Sequence, residues 1–285
     1  MGAISESFRR KFDRWITKSL LERLHIQNQI LFDAHWQGLL GSPAYADPLR
    51  LERYGFRTYS QNDEDGVIQE IFRRIGVQNS TFVEFGVEDG RESNAALLLY
   101  KGWRGLWIEC DQRQYRKIRG HFAAQLQTGQ LQVRNAFVDR DNISELIAAA
   151  NLGELDLLSI DVDGNDYWIW QALAIRPRVV VIEFNGKFRP PLKWVMAYNP
   201  KHRWDMSDYY GASLQSLADL GREKGYALVG CSLAGVNAFF VRDDLLLDRF
   251  SRASVADLYN PPRFYAGQFM LTGHEKIGNG PFHAL

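Results

Sequence analysis

From residue 81 onward, short apolar runs alternate with segments of helical periodicity, and few folds accept that alternation. The runs at 81–86, 105–110, 131–138, 156–161 and 178–184 read as strands; 92–101, 112–126, 142–151 and 165–173 between them read as helices. Near-continuous apolar strands, each followed by a helix, predict a parallel sheet covered on both faces. A further helix, 210–224, precedes apolar runs at 225–229 and 236–241 that are close enough to pair antiparallel. The expected fold is α/β: a Rossmann-like, seven-strand, mostly parallel sheet with helices on both faces.

With 285 residues, 46% of them hydrophobic, the chain can bury one α/β domain of roughly 200 residues with additions. The expected division is an N-terminal helical extension (1–45), the Rossmann domain (46–250) and a C-terminal extension packing on it (251–285). In residues 7–40, Phe8, Phe12, Trp15, Ile16, Leu20, Leu24, Ile30 and Leu31 recur at three- and four-residue intervals. That spacing fits a helix packed on the domain, a contact in a homo-oligomer, or a helix lying on a membrane surface. Lys+Arg and Asp+Glu balance at 34 each, so no global field favours nucleic acid. Cys110 and Cys231 lie in apolar runs, which reads as buried thiols in a reducing compartment. A charged N-terminus without an apolar core segment, and no run of about 18 apolar residues, predict a cytoplasmic chain with no transmembrane segment.

The stretch Thr81-Phe-Val-Glu-Phe-Gly-Val-Glu-Asp-Gly90 reads as strand and tight turn, with Gly86 letting the backbone approach a ligand. A loop that binds a diphosphate is kept free of anions, yet Glu84, Glu88 and Asp89 crowd this one. It suits a cationic or neutral ligand better, and S-adenosylmethionine, with its sulfonium and ammonium groups, fits. Acids recur where the five strands close: Glu84, Glu109, Asp139, Asp161 and Glu183. Glu109 stands where an acid can accept from ribose hydroxyls.

In Ser159-Ile-Asp-Val-Asp-Gly-Asn-Asp166, the side chains of Asp161, Asp163, Asn165 and Asp166 offer oxygens of the kind Mg²⁺ or Ca²⁺ takes. Glu183 and Asn185 could complete a divalent site with Asp161 and Asp163. In the competing reading, 163–165 caps the next helix and Asp161 meets substrate or cofactor directly. Upstream, Ser60 and Asp63 resemble a helix N-cap, which accounts for the local acids but not for Tyr59 and Gln61, both cofactor-binding candidates. The stretch 185–209 is an insertion beyond the fifth strand, with Lys187, Arg189, Lys193, Trp194, Tyr198, His202, Arg203, Trp204 and Tyr209. Aromatic planes and cations suit a sugar or a phosphorylated acceptor, though a packed insertion would carry the same aromatics.

Ser60-Gln61, Glu64-Asp65, Phe82-Val-Glu-Phe-Gly86, Asp89-Gly90, Ser93-Asn94, Gly102-Trp-Arg-Gly105 and Ile108-Glu109 together resemble the FkbM-type methyltransferases. Ser159-Ile-Asp-Val-Asp-Gly164, Val181-Ile-Glu-Phe-Asn185, Gly211-Ala-Ser-Leu214 and Asn237-Ala-Phe-Phe-Val241 continue the resemblance, which spans about residues 55–245. Two departures are visible: Asp163-Gly-Asn-Asp166 where many relatives have Glu-Gly, and Glu84 for the commoner Asp. The resemblance implies the seven-strand class I methyltransferase sheet and S-adenosylmethionine as methyl donor. It also implies O-methylation of an acceptor such as a sugar, of glycan or nucleotide-sugar type, in polysaccharide biosynthesis. Carried over, Glu84 and Gly86 contact the methionine part, with Asn94 also at the cofactor; Glu109 holds the ribose, Asp139 lies near adenine and Asp161 faces the reacting centre. Asp161, Asp163 and His202 are the candidates for the catalytic base, with a divalent cation as possible assistant. The rival expectations are a non-catalytic binding or scaffold protein, and a Rossmann enzyme of another reaction class.

Overall fold

The computed structural model describes residues 6–266, with side chains from residue 14 on. The strands are β1 Thr81–Phe85, β2 Arg104–Glu109, β3 Leu131–Asn135, β4 Leu157–Ile160, β5 Val179–Glu183, β6 Tyr226–Cys231 and β7 Asn237–Arg242. They form one sheet in the order β3-β2-β1-β4-β5-β7-β6. The first five run parallel, and β7 inserts antiparallel between β5 and β6. This is the Rossmann-like, mostly parallel sheet expected of a class I methyltransferase fold. The helices are α1 Glu6–Leu40, α2 Glu64–Ile75, α3 Ala96–Tyr100, α4 Gln112–His121, α5 Ala123–Gln127, α6 Ile143–Ala148, α7 Asp166–Ala172, α8 Leu214–Glu223 and α9 Val255–Leu258.

Side chains alternate between faces along a strand, and here both faces are apolar. Phe82, Leu157, Val179 and Val181 join Ile68, Ile71 and Leu99 on one side of the sheet. Val83, Phe85, Leu158, Ile160, Val180 and Ile182 join Ile147, Trp170 and Leu217 on the other. The exception is Glu84, which shares the face of Phe82 in mid-sheet, paired in register with Trp107 and Ser159.

That buried acid explains one departure from the sequence expectation. Its carboxylate accepts from the Asn94 amide at 2.7 Å, the Ala95 amide at 3.1 Å, Ser93 Oγ at 2.8 Å and Trp107 Nε1 at 3.0 Å. Residues 92–95 therefore form a loop clamped onto Glu84, and the predicted helix 92–101 shrinks to α3. The predicted helix 112–126 breaks at Phe122, which is fully buried against Trp107. Helix α8 starts late because Ser213 caps it, accepting from the Ser216 amide.

In α1, Phe32 and Trp36 pack with Tyr45, Leu233 and Val236, whereas no residue from 14 to 31 is buried. Among the described residues no helix is long and apolar enough to cross a membrane. Residues 251–266 lie against the body: Asn260 is buried and takes the Tyr45 hydroxyl at 2.5 Å. The rest of the predicted C-terminal extension lies outside the described residues.

At the switch point between β1 and β4, Gly86 has φ +70°, and a Cβ there would fall 1.7 Å from the Asp161 carbonyl oxygen. Gly86 thus serves the approach of two backbones, a tighter constraint than the ligand approach expected from its position. Gly86→Ala should cost at least about 2 kcal/mol in urea unfolding, from overpacking and a left-handed backbone together. Gly102→Ala separates the two causes, because φ is +91° there and a Cβ would meet nothing within 4 Å; it should cost clearly less.

Candidate functional site

The carboxyl ends of β1, β2, β4 and β5 open into a cleft of about 610 Å³, where open α/β sheets hold their ligands. Gln61, Gly86, Glu109, Asp161, Asp163, Glu183 and His202 line it, so the fold gathers these expected site residues in one place. Its β2–β3 side is apolar, with Ile108, Ala136, Phe137 and Val138; Trp204, Met206 and Asp208 of the insertion line it too, as does Tyr210. Asn62, Val236 and Phe264 also reach it.

Other expected site residues point elsewhere. Glu84 and Asn94 are buried away from the cleft, and Asn94 Nδ2 donates to Ser159 Oγ at 3.1 Å. Tyr59 stacks on Tyr100 with ring centroids 4.7 Å apart. Asp139 accepts from the amides of Asp141 and Asn142, both at 2.9 Å, and so shapes the entry to α6. Asn185 spends its amide on the Asp208 and Tyr210 carbonyls, at 2.9 and 3.0 Å, which holds the insertion instead of facing the acids.

The loop after β4 is built by its own polar groups. Asp166 accepts from the Val162 and Gly164 amides at 2.8 and 2.9 Å, and Asn165 exchanges hydrogen bonds with the backbone of Asn199. Both oxygen donors are thereby removed from the candidate metal set. Asp163, at φ +53°, turns outward and is exposed. What remains is Asp161, Asp163 and Glu183, each offering an oxygen within 4.8 Å of the others. Glu183 Oε2 has no hydrogen-bond partner. Burial first, and then the neighbouring acids, hold the Asp161 and Glu183 carboxyls well above the usual carboxylate range.

Glu109 accepts from the Glu88 amide at 2.9 Å and the Asp111 amide at 2.7 Å while still lining the cleft. His202 packs against Gly164, where a Cβ would lie 2.3 Å from its Cδ2, and its Nε2 is buried there with no partner. Cys110, expected to be buried, is exposed on the cleft wall, because β2 ends at Glu109; Cys231 is buried as expected. The insertion has its own aromatic packing: Phe188 stacks on Trp194 at 4.3 Å, and Trp168 meets Tyr198 edge-on. Sequence reasoning missed Phe137 and Val138, whose signal was two apolar residues just past the end of β3. It also missed Phe264, which nothing local in the sequence marks.

The raised carboxyls fix the sign of a pH effect. Burial pushes Glu84 up to about 7, and burial with the adjacent Glu64 does the same to Asp63. A carboxyl raised in the fold binds a proton that the unfolded chain has released, so its stabilising contribution is full below about pH 4. That contribution is lost as pH climbs through about 7. The melting temperature, followed by scanning calorimetry, should fall by several degrees between about pH 5.5 and about pH 8, and Asp161→Asn should flatten the fall. A melting temperature that climbs over this interval would contradict the assignment.

No family model matches the sequence, and no curated protein does. Solved structures with similar architecture include an O-methyltransferase family protein from Burkholderia thailandensis (10% identity, TM-score 0.39, 61% of this chain and 55% of that one). The N-terminal domain of EvdMO1 with SAH bound gives 14% identity and TM-score 0.41 over 65% of this chain and 80% of that one. An S-adenosylmethionine-dependent methyltransferase from Clostridium acetobutylicum gives 11% and 0.41 over 73% and 98%. The chain thus spans about half the length of the first of these and nearly all of the last.

Proposed function

We propose that this chain is an S-adenosylmethionine-dependent O-methyltransferase of FkbM type that methylates a hydroxyl of a carbohydrate. The observation that carries this reading is the cleft itself, an apolar slot joined to an acid-lined floor at the switch point of the sheet. On the β2–β3 side, Ile108, Phe137 and Val138 offer apolar surface for a purine, and Glu109, next along the strand end, would take the ribose hydroxyls. Gly86 and Gln61 border the part left for the methionine moiety. Acids in the cleft would repel a dinucleotide pyrophosphate, and the donor's ammonium is a partner they suit.

The donor supplies an electrophilic methyl group, so the protein's work is alignment and proton removal. His202 is the base in this reading. The residue lines the cleft near Asp163, with its ring against Gly164 and its Nε2 buried there without a hydrogen-bond partner. Asp161 holds its proton more tightly than an ordinary carboxyl, which suits it to hydrogen-bond the acceptor instead of deprotonating it. The donor set also fits a hard divalent cation: Asp161, Asp163 and Glu183 would hold it, and it would acidify a bound hydroxyl.

Calorimetric titration with S-adenosylhomocysteine should give a Kd on the order of micromolar, weakened roughly tenfold or more by Glu109→Ala through loss of ribose hydrogen bonds. Folded protein that binds none of it overturns the reading. His202→Ala should leave that affinity within about twofold and lower turnover by about a hundredfold or more. Gly164→Ala should do the same to a lesser degree by displacing the ring.

A further inference from the structure

Between residues 112 and 138 the chain carries no Asp or Glu, while Arg113, Arg116, Lys117, Arg119 and Arg134 fall inside that stretch. The whole chain balances its charges at 34 each, so the excess is local. Four of the five lie on α4, where Ile118 is the one buried residue and turns toward the sheet. At about 100° per residue, Arg113 and Arg116 then face away from the sheet, with Lys117 and Arg119 flanking them. All five are exposed. Arg50, Arg74, Arg178 and Arg242 each pair with a carboxylate, whereas among the described residues none of these five forms an ion pair. Asp111, the acid at the head of α4, spends an oxygen on the amides of Arg113 and Gln114. Acids that border the face are paired as well, Asp89 with Arg91 and Asp141 with Arg140.

The helix starts at the cleft: Glu109 and Cys110 line it, and α4 begins at Gln112. On the same rim Arg203, next in the chain to His202, sits 6.0 Å from the Phe137 ring centroid, near enough for its charge to reach Cys110 and Asp111. A cationic track thus leads from beside the candidate base out along α4, whose 10 residues span about 15 Å. We propose that α4 docks a carboxylate-bearing polysaccharide, an acidic stretch of the polymer whose hydroxyl enters the cleft. This rests on the methyl-transfer reading and narrows its acceptor to a chain of several sugars, because one ring held in the cleft could not also lie along the helix. Guanidinium forks match carboxylates in geometry and charge, and the exposed Gln112 can hydrogen-bond sugar hydroxyls. Two other polyanions fit less well. No large apolar side chain is exposed between residues 112 and 138 to enter a lipid surface, and no exposed Phe, Tyr or Trp there offers a platform for nucleic-acid bases.

Fluorescence anisotropy of labelled oligogalacturonate, long enough to span α4, tests the face directly. The oligomer should bind the full chain at low salt and weaken as sodium chloride is raised. Arg113→Glu with Arg116→Glu should weaken it roughly tenfold or more, and Arg113→Gln with Arg116→Gln should weaken it less. Lys18→Glu with Arg23→Glu, the same change of net charge placed on α1, should leave it within about twofold. A neutral dextran of equal length should bind at least about tenfold more weakly. Equal affinity for the two glycans, or equal effects of the α1 and α4 reversals, overturns the proposal. Tighter binding of single-stranded RNA of matched charge, or of phosphatidylglycerol vesicles, overturns it too and assigns the face to that partner. Titration of the α4 variants with S-adenosylhomocysteine should match wild type, which shows fold and donor site intact. Binding of S-adenosylhomocysteine without preference for the acidic glycan overturns only the docking face; α4-dependent glycan binding without it overturns methyl transfer.

Discussion

Carboxylates packed into the fold without a cation must find donors elsewhere, and at the carboxyl edge of this sheet they find them in backbone amides. Asp63 accepts from Leu233 and Ala234, Asp65 from residues 58–60, Glu84 from residues 94 and 95, and Asp166 from residues 162 and 164. An amide left unpaired in a loop costs free energy and a buried carboxylate costs more, so each such bond removes two liabilities at once. It also fixes the course of a loop that has no regular structure of its own. At the amino edge Asp156 likewise accepts from the Gln78 and Asn79 amides, and there it also pairs with the Arg178 guanidinium at 2.7 Å, both buried.

This division sorts the acids that looked alike in sequence. Strand ends were legible, because five apolar runs of the right length and spacing admit little else, and so were the acids near them. Which way each carboxylate faces was not, since that depends on which amides the folded loops bring within reach. Glu84 and Asp139 are occupied by the backbone, Glu109 is occupied and still exposed to the cleft, and Asp161 and Glu183 retain unsatisfied capacity. The same limit applies to Asp163-Gly-Asn-Asp166. Its composition suggested a metal loop, but only the hydrogen bonds of Asn165 and Asp166 reveal that half of its oxygens build the loop. In Gly86 the local signal was a glycine turn and its cause was hidden, because the carbonyl that forbids a side chain is that of Asp161, just past the end of β4 and 75 residues on.

The insertion shows how far composition can mislead about charge. Its Lys and Arg residues invited an anionic partner, yet Lys187, Lys193 and Arg203 have protein neighbours available only after folding: Asp208, Asp219 and the ring of Phe137. Its aromatics divide in the same way. Phe188 and Trp194 stack on one another, while Trp204, 45% exposed, stays available at the cleft wall. Aromatic content therefore marked a segment that lines the cleft without marking which of its residues do so.

The placement of the unsatisfied acids bears on rate as well as affinity. When a methyl group leaves a sulfonium for a neutral hydroxyl, positive charge leaves sulfur and builds on the accepting oxygen. Only interactions stronger in the transition state than in the ground state speed the step. Carboxylates crowded around the sulfur would hold the donor's charge where it already is and slow the transfer. Here the β2–β3 side that suits the donor's purine is apolar, and the acids with free oxygens gather at Asp161, Asp163 and Glu183, next to His202. In the methyl-transfer reading, an acceptor oxygen seated beside Asp163 would gain its positive charge next to these acids.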